Sequence, residues 1–381
     1  MAPPERIIPL SQPSLGAAER EAVLGVLDGS QLSLGPKLET FEQQLADYAG
    51  VKYAVAVNSG TSGLHLCVKA AGIGAGDEVV TSPFSFVASA NCILYEQGVP
   101  VFADIDPETF NIDPRNVEAA ITSRTKAILA VDIFGLPCEM DSIRAIARRY
   151  DLWVIEDACE AIGATYRGRP AGGLGDCGVF AFYPNKQMTT AEGGAVLTNS
   201  ARVADLCRSL RNHGRDKTDL AYYRLGYNYR LSELHCALGI AQLGRIEELL
   251  SERARVAETY RERINDVPVK LLPSFEGLQR SWYAFVVLVE EALAGGGRDA
   301  LLQRLRGRGV GCSNYFPAIH LQPFYAQTFG YAKGRFPIAE SIAGRTVALP
   351  FYAGLPADSV EYVVNCLAEE LNELSPSKIS L

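Results

Sequence analysis

From residue 51 onward, short runs of apolar and β-branched residues alternate with segments whose apolar positions recur at helical spacing. The runs predict strands at residues 53–57, 78–81, 99–104, 126–131 and 152–155, and the periodic segments predict helices near residues 61–72, 86–97, 114–122 and 139–150. Strands that alternate with helices form βαβ units, so we expect an α/β fold with a mostly parallel sheet covered by helices. Ligands of such sheets bind at the carboxyl ends of the strands.

Both ends of the chain differ from this central pattern. Residues 1–40 predict an irregular N-terminal arm with one short helix, which follows Ser14. A continuous helical pattern covers residues 232–264 and predicts one long helix that bridges two domains. We therefore expect a large domain at residues 41–250 and a smaller α+β domain at residues 251–381, in which the last seven residues are frayed.

The composition narrows the class of protein. The 381 residues carry a net charge of -8, which argues against nucleic acid and anionic membranes as partners, because proteins that bind them concentrate Lys and Arg on one face. The nine cysteines are scattered without Cys-x-x-Cys pairs, so neither a metal site nor a disulfide framework is predicted. The N-terminus lacks an apolar signal-peptide core. We expect a cytoplasmic globular protein with reduced cysteines.

Lys186 lies at an unusual place for a charged residue. The apolar run at residues 179–183 ends at Pro184 and Asn185, and Lys186 follows where a strand would pass into a loop. Two threonines, an acid and a Gly-Gly pair then let the chain turn back into a second apolar run. Most lysines in loops are simply solvated, but a lysine sheltered at the mouth of a sheet can attack a carbonyl as the neutral amine. The setting predicts a Schiff-base lysine.

Two further motifs lie where predicted strands end. Residues 58–63, Asn-Ser-Gly-Thr-Ser-Gly, join the first strand to a helix. Gly60 there allows a close backbone approach to a ligand, and Thr61 and Ser62 could hold a phosphate at the helix N-terminus. Asp157 follows the fifth predicted strand, and a buried carboxylate at this place needs a cationic partner. Each motif by itself also fits ordinary helix capping.

Pyridoxal 5′-phosphate (PLP) requires these three features together. A lysine binds its aldehyde, a carboxylate keeps its ring nitrogen protonated so that the ring withdraws electrons, and a helix N-terminus anchors its phosphate. The presence of all three motifs in one predicted sheet therefore indicates a PLP enzyme. No metal site is predicted beside it.

Eight motifs that occur in order along nearly the whole chain point to one family. They are Leu34-Gly-Pro-Lys, Asn58-Ser-Gly-Thr-Ser, Asp104-Ile-Asp, Glu156-Asp-Ala, Asn185-Lys-x-x-Thr-Thr-x-Glu-Gly-Gly, Arg211-Asn-His-Gly, Gly226-Tyr-Asn-Tyr-Arg-Leu and His320-Leu-Gln-Pro. On these motifs the chain resembles the DegT/DnrJ/StrS family of nucleotide-sugar aminotransferases. The resemblance implies the PLP-dependent transferase fold of type I, with a large PLP-binding domain and a smaller C-terminal domain.

The resemblance also implies roles for individual residues of the cofactor site. Lys186 would form the Schiff base and later move the proton between the substrate carbon and the cofactor. Asp157 would pair with the ring nitrogen, and Phe86 would stack on the ring unless it is an ordinary core residue. Thr61 and Ser62 would bind the phosphate.

Other residues are candidates for contacts with a second subunit or with the substrate. Asn228 matches an asparagine that reaches the phosphate from the neighbouring subunit, so the resemblance implies an obligate homodimer with shared active sites. The candidate substrate residues are Asn185, Arg230, Tyr315 and His320. For His320 a structural hydrogen bond is an equal alternative, and the same alternative holds for Arg230 and Tyr315.

Two positions depart from the common pattern of the family. Many members have Ser where this chain has Ala181, so one hydroxyl for the phosphate is missing here. Many have Gln where this chain has Glu160, and a carboxylate near the ring oxygen would repel a phenolate unless it is protonated or turned away. Members that resemble GDP-perosamine synthases also carry Glu in this motif and an Asn-Lys pair, which favours 4-keto-6-deoxy sugars as acceptors.

The resulting hypothesis is an aminotransferase that moves an amino group from an amino acid, expected to be L-glutamate, to a nucleotide-linked keto-sugar through PLP and pyridoxamine 5′-phosphate. The alternatives on the same fold are a PLP-dependent sugar dehydratase, a cyclitol aminotransferase and a catalytically silent regulator. Relatives that dehydrate replace the lysine with histidine, so Lys186 argues against the first. A Rossmann dehydrogenase lacks support because no Gly-x-Gly-x-x-Gly follows the first strand.

Overall fold

The computed structural model describes residues 6–216 and 221–374, in which helices and strands alternate. The predicted fraying of residues 375–381 lies outside the described residues. The helices are α1 (Ala17–Leu27), α2 (Pro36–Ala49), α3 (Gly60–Ala70), α4 (Ala88–Leu94), α5 (Pro114–Ala119), α6 (Met140–Tyr150), α7 (Ala201–Arg211), α8 (Glu233–Leu243), α9 (Ile246–Arg263), α10 (Gly296–Gly307), α11 (Pro323–Phe329), α12 (Pro337–Arg345) and α13 (Ala357–Leu374). None of the helices in the described ranges is both long and apolar enough to cross a membrane.

The strands are short, and the five predicted at residues 53–57, 78–81, 99–104, 126–131 and 152–155 are present within two residues of those bounds. The strands are β1 (Tyr53–Val57), β2 (Glu78–Thr81), β3 (Val99–Phe102), β4 (Thr125–Val131), β5 (Trp153–Asp157), β6 (Thr165–Tyr166), β7 (Arg169–Pro170), β8 (Cys177–Ala181), β9 (Gly194–Thr198), β10 (Val269–Leu271), β11 (Leu278–Gln279), β12 (Phe285–Val289) and β13 (Thr346–Leu349). Every residue of β2, β8 and β9 is buried, as expected of strands covered by helices on both faces.

Seven of these strands form the central sheet, in the order β1-β9-β8-β5-β4-β2-β3. β9 is antiparallel to both of its neighbours, β1 and β8, whereas the other neighbouring pairs are parallel. All strands of this sheet except β9 therefore run in one direction, and their carboxyl ends lie at the same edge. Because α2 packs on β1 and α3 packs on β8 and β9, the predicted α/β fold with a helix-covered, mostly parallel sheet is confirmed.

A second hydrophobic core lies in the C-terminal half of the chain. It is built on the antiparallel sheet β10-β12-β13 together with α9, α10 and α13. The N-terminal arm also joins this core, because Ile8 is buried in it and pairs with Val310. The division of the chain into domains at residues 40 and 250 stays a prediction.

The prediction of one long helix at residues 232–264 was wrong, because the chain breaks between α8 and α9. α8 ends at Leu243, and Arg245 has a non-helical backbone conformation. The Arg245 guanidinium donates to the Glu19 carboxylate at 2.7 Å and to the Ser14 carbonyl at 2.8 Å, which ties the break to the start of α1. α8 then packs on α1 and α2, whereas α9 packs on α13. The helical spacing of apolar residues continues across the break, so the sequence pattern does not show where α8 ends.

Candidate active site

A cavity of about 420 Å³ opens at the carboxyl edge of the central sheet. Its walls come from the segments that follow β1, β2, β5 and β8 and from the residues that precede β9. Tyr283, Tyr315 and Phe316 complete it from the C-terminal half of the chain. The cavity therefore lies where the parallel sheet predicts a ligand.

Lys186 reaches this cavity from the connection between β8 and β9. The turn is held by backbone bonds, with the amide of Lys186 donating to the Tyr183 carbonyl at 2.9 Å and that of Thr190 donating to the Phe182 carbonyl at 3.0 Å. The side chain of Lys186 is 12% exposed, and its Nζ lies 4.1 Å from the centre of the Tyr283 ring. The predicted shelter of this lysine at the mouth of the sheet is thus present in the structure.

Glu160 is the acid nearest to this amine. Its Oε1 lies 3.6 Å from Lys186 Nζ, and its Oε2 accepts a hydrogen bond from the Phe134 amide at 3.0 Å. Burial raises the pKa of Glu160 to about 7, against the opposing attraction of Lys186. The carboxyl group therefore changes its charge near neutral pH, directly beside the lysine.

Asp157 ends β5 and faces the same cavity. The carboxylate is buried, and it accepts hydrogen bonds from the Ser89 hydroxyl at 2.7 Å and from the Cys159 amide at 3.2 Å. Neither of these donors carries a charge. A cationic ring nitrogen in the cavity would therefore meet a carboxylate that is already oriented by two neutral donors.

The N-terminus of α3 forms the floor of the cavity. Ser59 is the N-cap, and its hydroxyl accepts from the Ser62 amide at 3.1 Å. Gly60 lies so close to β8 that a Cβ at this position would lie 2.7 Å from the Cβ of Ala181. Ser59, Gly60 and Thr61 line the cavity, whereas Ser62 is buried and its hydroxyl donates to the Asn58 side chain at 2.7 Å.

Aromatic side chains form the remaining walls. Phe86 is 59% exposed and lines the cavity, so it is not the core phenylalanine that composition alone would suggest. Tyr283 and Tyr315 stack with ring centres 6.1 Å apart and an interplanar angle of 12°. Asn185 donates to the Tyr283 hydroxyl at 2.9 Å, and burial raises the pKa of that hydroxyl well above its ordinary value.

Comparison with known proteins assigns this arrangement to a family. The model of the DegT/DnrJ/EryC1/StrS aminotransferase family matches residues 13–368. The chain belongs to this family. The aminotransferase is 39% identical to the GDP-perosamine synthase of Caulobacter vibrioides, over 96% of its own chain and 98% of that protein. It is 38% identical to the spore coat polysaccharide biosynthesis protein SpsC of Bacillus subtilis, over 95% of its chain and 96% of that protein.

Solved structures agree with this assignment. The aminotransferase matches Helicobacter pylori PseC, an aminotransferase involved in the biosynthesis of pseudoaminic acid, with a TM-score of 0.92 and 31% identity over 97% of this chain and 100% of that one. It matches S. venezuelae DesV in complex with a ketimine intermediate with a TM-score of 0.87 and 34% identity, over 93% of this chain and 94% of that one. The chain is therefore a PLP-dependent sugar aminotransferase of fold type I.

Most of the predicted site residues of the aminotransferase lie around one cavity. Those that line it are Gly60, Thr61, Phe86, Asp157, Glu160, Asn185, Lys186 and Tyr315. Ser59 and Tyr283 also line the cavity but were not predicted as candidates. The N-cap position of Ser59 in the Asn58 motif was a usable signal, whereas no motif marks Tyr283.

Four predicted residues of the aminotransferase lie outside the lining of this cavity: Ser62, Asn228, Arg230 and His320. Asn228 is exposed, and Arg230 donates to the Asn212 side chain at 3.0 Å. His320 is fully buried, and its Nε2 lies 3.0 Å from Glu340. The structural hydrogen bond that was the alternative for His320 is therefore present.

Glu160→Gln is expected to change how the stability of the cofactor-free aminotransferase depends on pH. The pKa of Glu160 rises from 4.5 to about 7 on folding, so the native state binds an extra proton between these values. The contribution of Glu160 to the free energy of unfolding therefore falls as the pH rises through this window, by about 3 kcal/mol. Urea unfolding at pH 4.5 and pH 8 should show this fall in the wild type and not in the variant.

Glu192→Gln is the matched control, since Glu192 lines the same cavity but is exposed. It should keep the wild-type dependence on pH. If Glu160→Gln also kept that dependence, the assignment of the titration to Glu160 would be wrong.

Proposed function

We propose that this aminotransferase moves an amino group from L-glutamate to a nucleotide-linked 4-keto-6-deoxy sugar in amino-sugar biosynthesis. The observation that carries the proposal is the convergence of Lys186, Asp157 and the N-terminus of α3 on one cavity. The choice of acceptor is supported by the likeness to a GDP-perosamine synthase. It is also supported by Glu160 and Asn185, which match the motif residues that the resemblance to members of that kind implies.

The residues of the cavity fit PLP. Gly60 lacks the side chain that would fill the space beside Ala181, so the backbone of α3 can approach a phosphate group. The buried Oδ1 of Asn185 finds no donor among the described residues, which leaves it available to a polar ligand. When bound, PLP supplies an aldehyde that accepts the amino group and a ring that withdraws electrons.

Each residue then has a defined task. The amine of Lys186 would hold the cofactor and afterwards carry the proton to and from the reacting carbon. Asp157 would hold the proton of the ring nitrogen, and Phe86 would cover one face of the ring. Glu160 would hold a proton beside Lys186, since its pKa of about 7 leaves the neutral form well populated. Ser59 and Thr61 would donate hydrogen bonds to the phosphate.

The charge of the cavity supports an active site that two subunits share. Of the described residues that line it, Lys186 is the one cation, against the acids Asp157, Glu160 and Glu192. A cofactor phosphate and a nucleoside diphosphate need more positive charge than this. We infer that Asn228 and Arg230 of the partner subunit reach the cavity in a homodimer. Cytoplasmic residence is part of the same proposal and is supported by the nine unpaired cysteines.

The visible absorption spectrum of the protein with added PLP tests this function. Excess L-glutamate should convert the band of the lysine-bound cofactor into that of the pyridoxamine form, and 2-oxoglutarate should appear. Incubation of this form with nucleotide-linked keto-sugars should then regenerate the first band and yield an amino-sugar. Conversion of the cofactor band by a different amino acid, but not by L-glutamate, would refute the choice of glutamate as donor. A sugar product that has lost a hydroxyl instead of gaining an amine would identify a dehydratase, and turnover with only a cyclitol ketone would identify a cyclitol aminotransferase.

A further inference from the structure

Arg253 is a buried cation next to the active site, and neither the family motifs nor the proposed function gives it a task. It lies on α9, is 2% exposed and packs with its guanidinium carbon 5.6 Å from the centre of the Phe351 ring. Among the described residues, no carboxylate lies within ion-pair distance of it. Burial lowers the pKa of Arg253 to about 10, so the group still carries its charge at neutral pH.

Three backbone carbonyls take the place of a counter-ion. One terminal nitrogen donates to the carbonyl of Lys186 at 2.8 Å. The other donates to the carbonyls of Trp282 and Tyr283, each at 3.2 Å. A buried charge is costly unless such charge-assisted hydrogen bonds offset the loss of water. These contacts therefore account for how the cation is held.

Two of the bonded carbonyls, those of Lys186 and Tyr283, belong to residues that line the cavity. Lys186 lies on the connection between β8 and β9, whereas Tyr283 lies just before β12 and its ring faces the Lys186 amine at 4.1 Å. These two residues are far apart in the sequence, and the guanidinium bonds to both of their main chains. The planar fork of an arginine can hold two such segments at a fixed spacing, which the single ammonium of a lysine cannot do.

We propose that Arg253 is a positioning residue that fixes the main chain of Lys186 relative to the ring of Tyr283 and so aims the reactive amine. This inference rests on the proposed role of Lys186 as the residue that binds PLP. Misplacement of a reacting group by about 1 Å can lower a rate about 100-fold, so loss of the bridge should affect the chemical steps more than substrate binding.

The test compares Arg253→Lys, which keeps the charge but loses the fork, with Arg255→Met as the control. Arg255 lies on the same helix and is exposed, so its removal leaves the cavity unchanged. Arg253→Lys is expected to lower kcat about 30-fold while the KM values for donor and acceptor change by less than about twofold. Arg255→Met should behave as the wild type.

A second readout does not depend on turnover. Borohydride reduction after mixing the cofactor-free protein with PLP traps the lysine adduct, which mass spectrometry locates at Lys186. The rate of trapping should fall about tenfold in Arg253→Lys and stay unchanged in Arg255→Met. In Arg253→Gly, guanidinium at millimolar concentration should restore part of the rate, because it can occupy the vacated volume.

The outcomes separate the two proposals. Wild-type kcat and trapping rate in Arg253→Lys, together with a lower urea midpoint, would overturn the positioning role and leave Arg253 as a stabilising residue only. Absence of an adduct at Lys186 in the wild-type protein would overturn the proposed function and this inference with it. The lysine variant, which keeps the buried charge, decides the question even if Arg253→Gly fails to fold.

Discussion

Lys186→Ala is expected to lower kcat by about four orders of magnitude, the largest effect of any single substitution in this protein. In the proposed function the amine of Lys186 both binds the cofactor and moves the proton at the reacting carbon, and the alanine would remove both activities. Glu160 lies 3.6 Å from the missing amine but cannot replace it, because a carboxylate forms no stable imine with an aldehyde. Steady-state rates with L-glutamate and the keto-sugar that turns over in the spectral test measure the loss, and the band of the lysine-bound cofactor should disappear.

Lys333→Ala is the control for this experiment, since Lys333 is exposed and does not line the cavity. It should retain full activity. Addition of a small primary amine such as methylamine should restore part of the activity of Lys186→Ala by taking over the proton transfer. Turnover of Lys186→Ala at the wild-type rate would refute the assignment of Lys186.

Asp157→Asn should cause the second largest loss, about 1000-fold in kcat. The amide cannot hold a proton on the ring nitrogen, so the ring would withdraw electrons less strongly. The substitution is nearly isosteric, and the Ser89 hydroxyl can still bond to the new side chain, so the fold should be retained. The rate of the first half-reaction, measured as the conversion of the cofactor band by L-glutamate, isolates this effect from acceptor binding.

Ser89→Ala provides the comparison for Asp157→Asn. It removes the 2.7 Å hydrogen bond to the carboxylate but leaves the charge, so a loss of less than about tenfold is expected. Equal losses in the two variants would mean that the orientation of Asp157, and not its charge, limits the rate.

The fold and the centre of the site could be predicted because their signals are local. Buried strands read as continuous apolar runs, and parallel strands bring their carboxyl ends to one edge, so residues that follow different strands meet there. Asp157 at the end of β5 and Lys186 after β8 are separated in sequence, but this rule places both at the same edge. Their proximity depends in addition on the strand order, in which β5 and β8 are neighbours.

The outer parts of the site could not be predicted because their signals are not local. Tyr283 and Arg253 come from segments outside the central sheet, and nothing in their own sequence shows which wall they contact. Ser62 does not line the cavity, and its hydroxyl donates to the Asn58 side chain, a contact that its place at the N-terminus of α3 does not reveal. The break at Arg245 depends on Glu19, a partner more than two hundred residues away in the chain.

Three small residues, Gly60, Ala181 and Gly194, lie side by side at the cavity, and the first two of them line it. Their close packing has a consequence for how the site can evolve. Ala181 pairs with Gly194 across β8 and β9, and a Cβ at Gly194 would lie 2.7 Å from the amide nitrogen of Gly60. Gly60 in turn has no room for a side chain beside Ala181. Variation at these positions is therefore epistatic. A side chain at Gly194 is tolerated only if the main chain at Ser59 and Gly60 moves, and one at Gly60 only if the Ala181 side chain gives way. Mutant libraries that are designed to change the cofactor or substrate preference of this protein should therefore vary the three positions together.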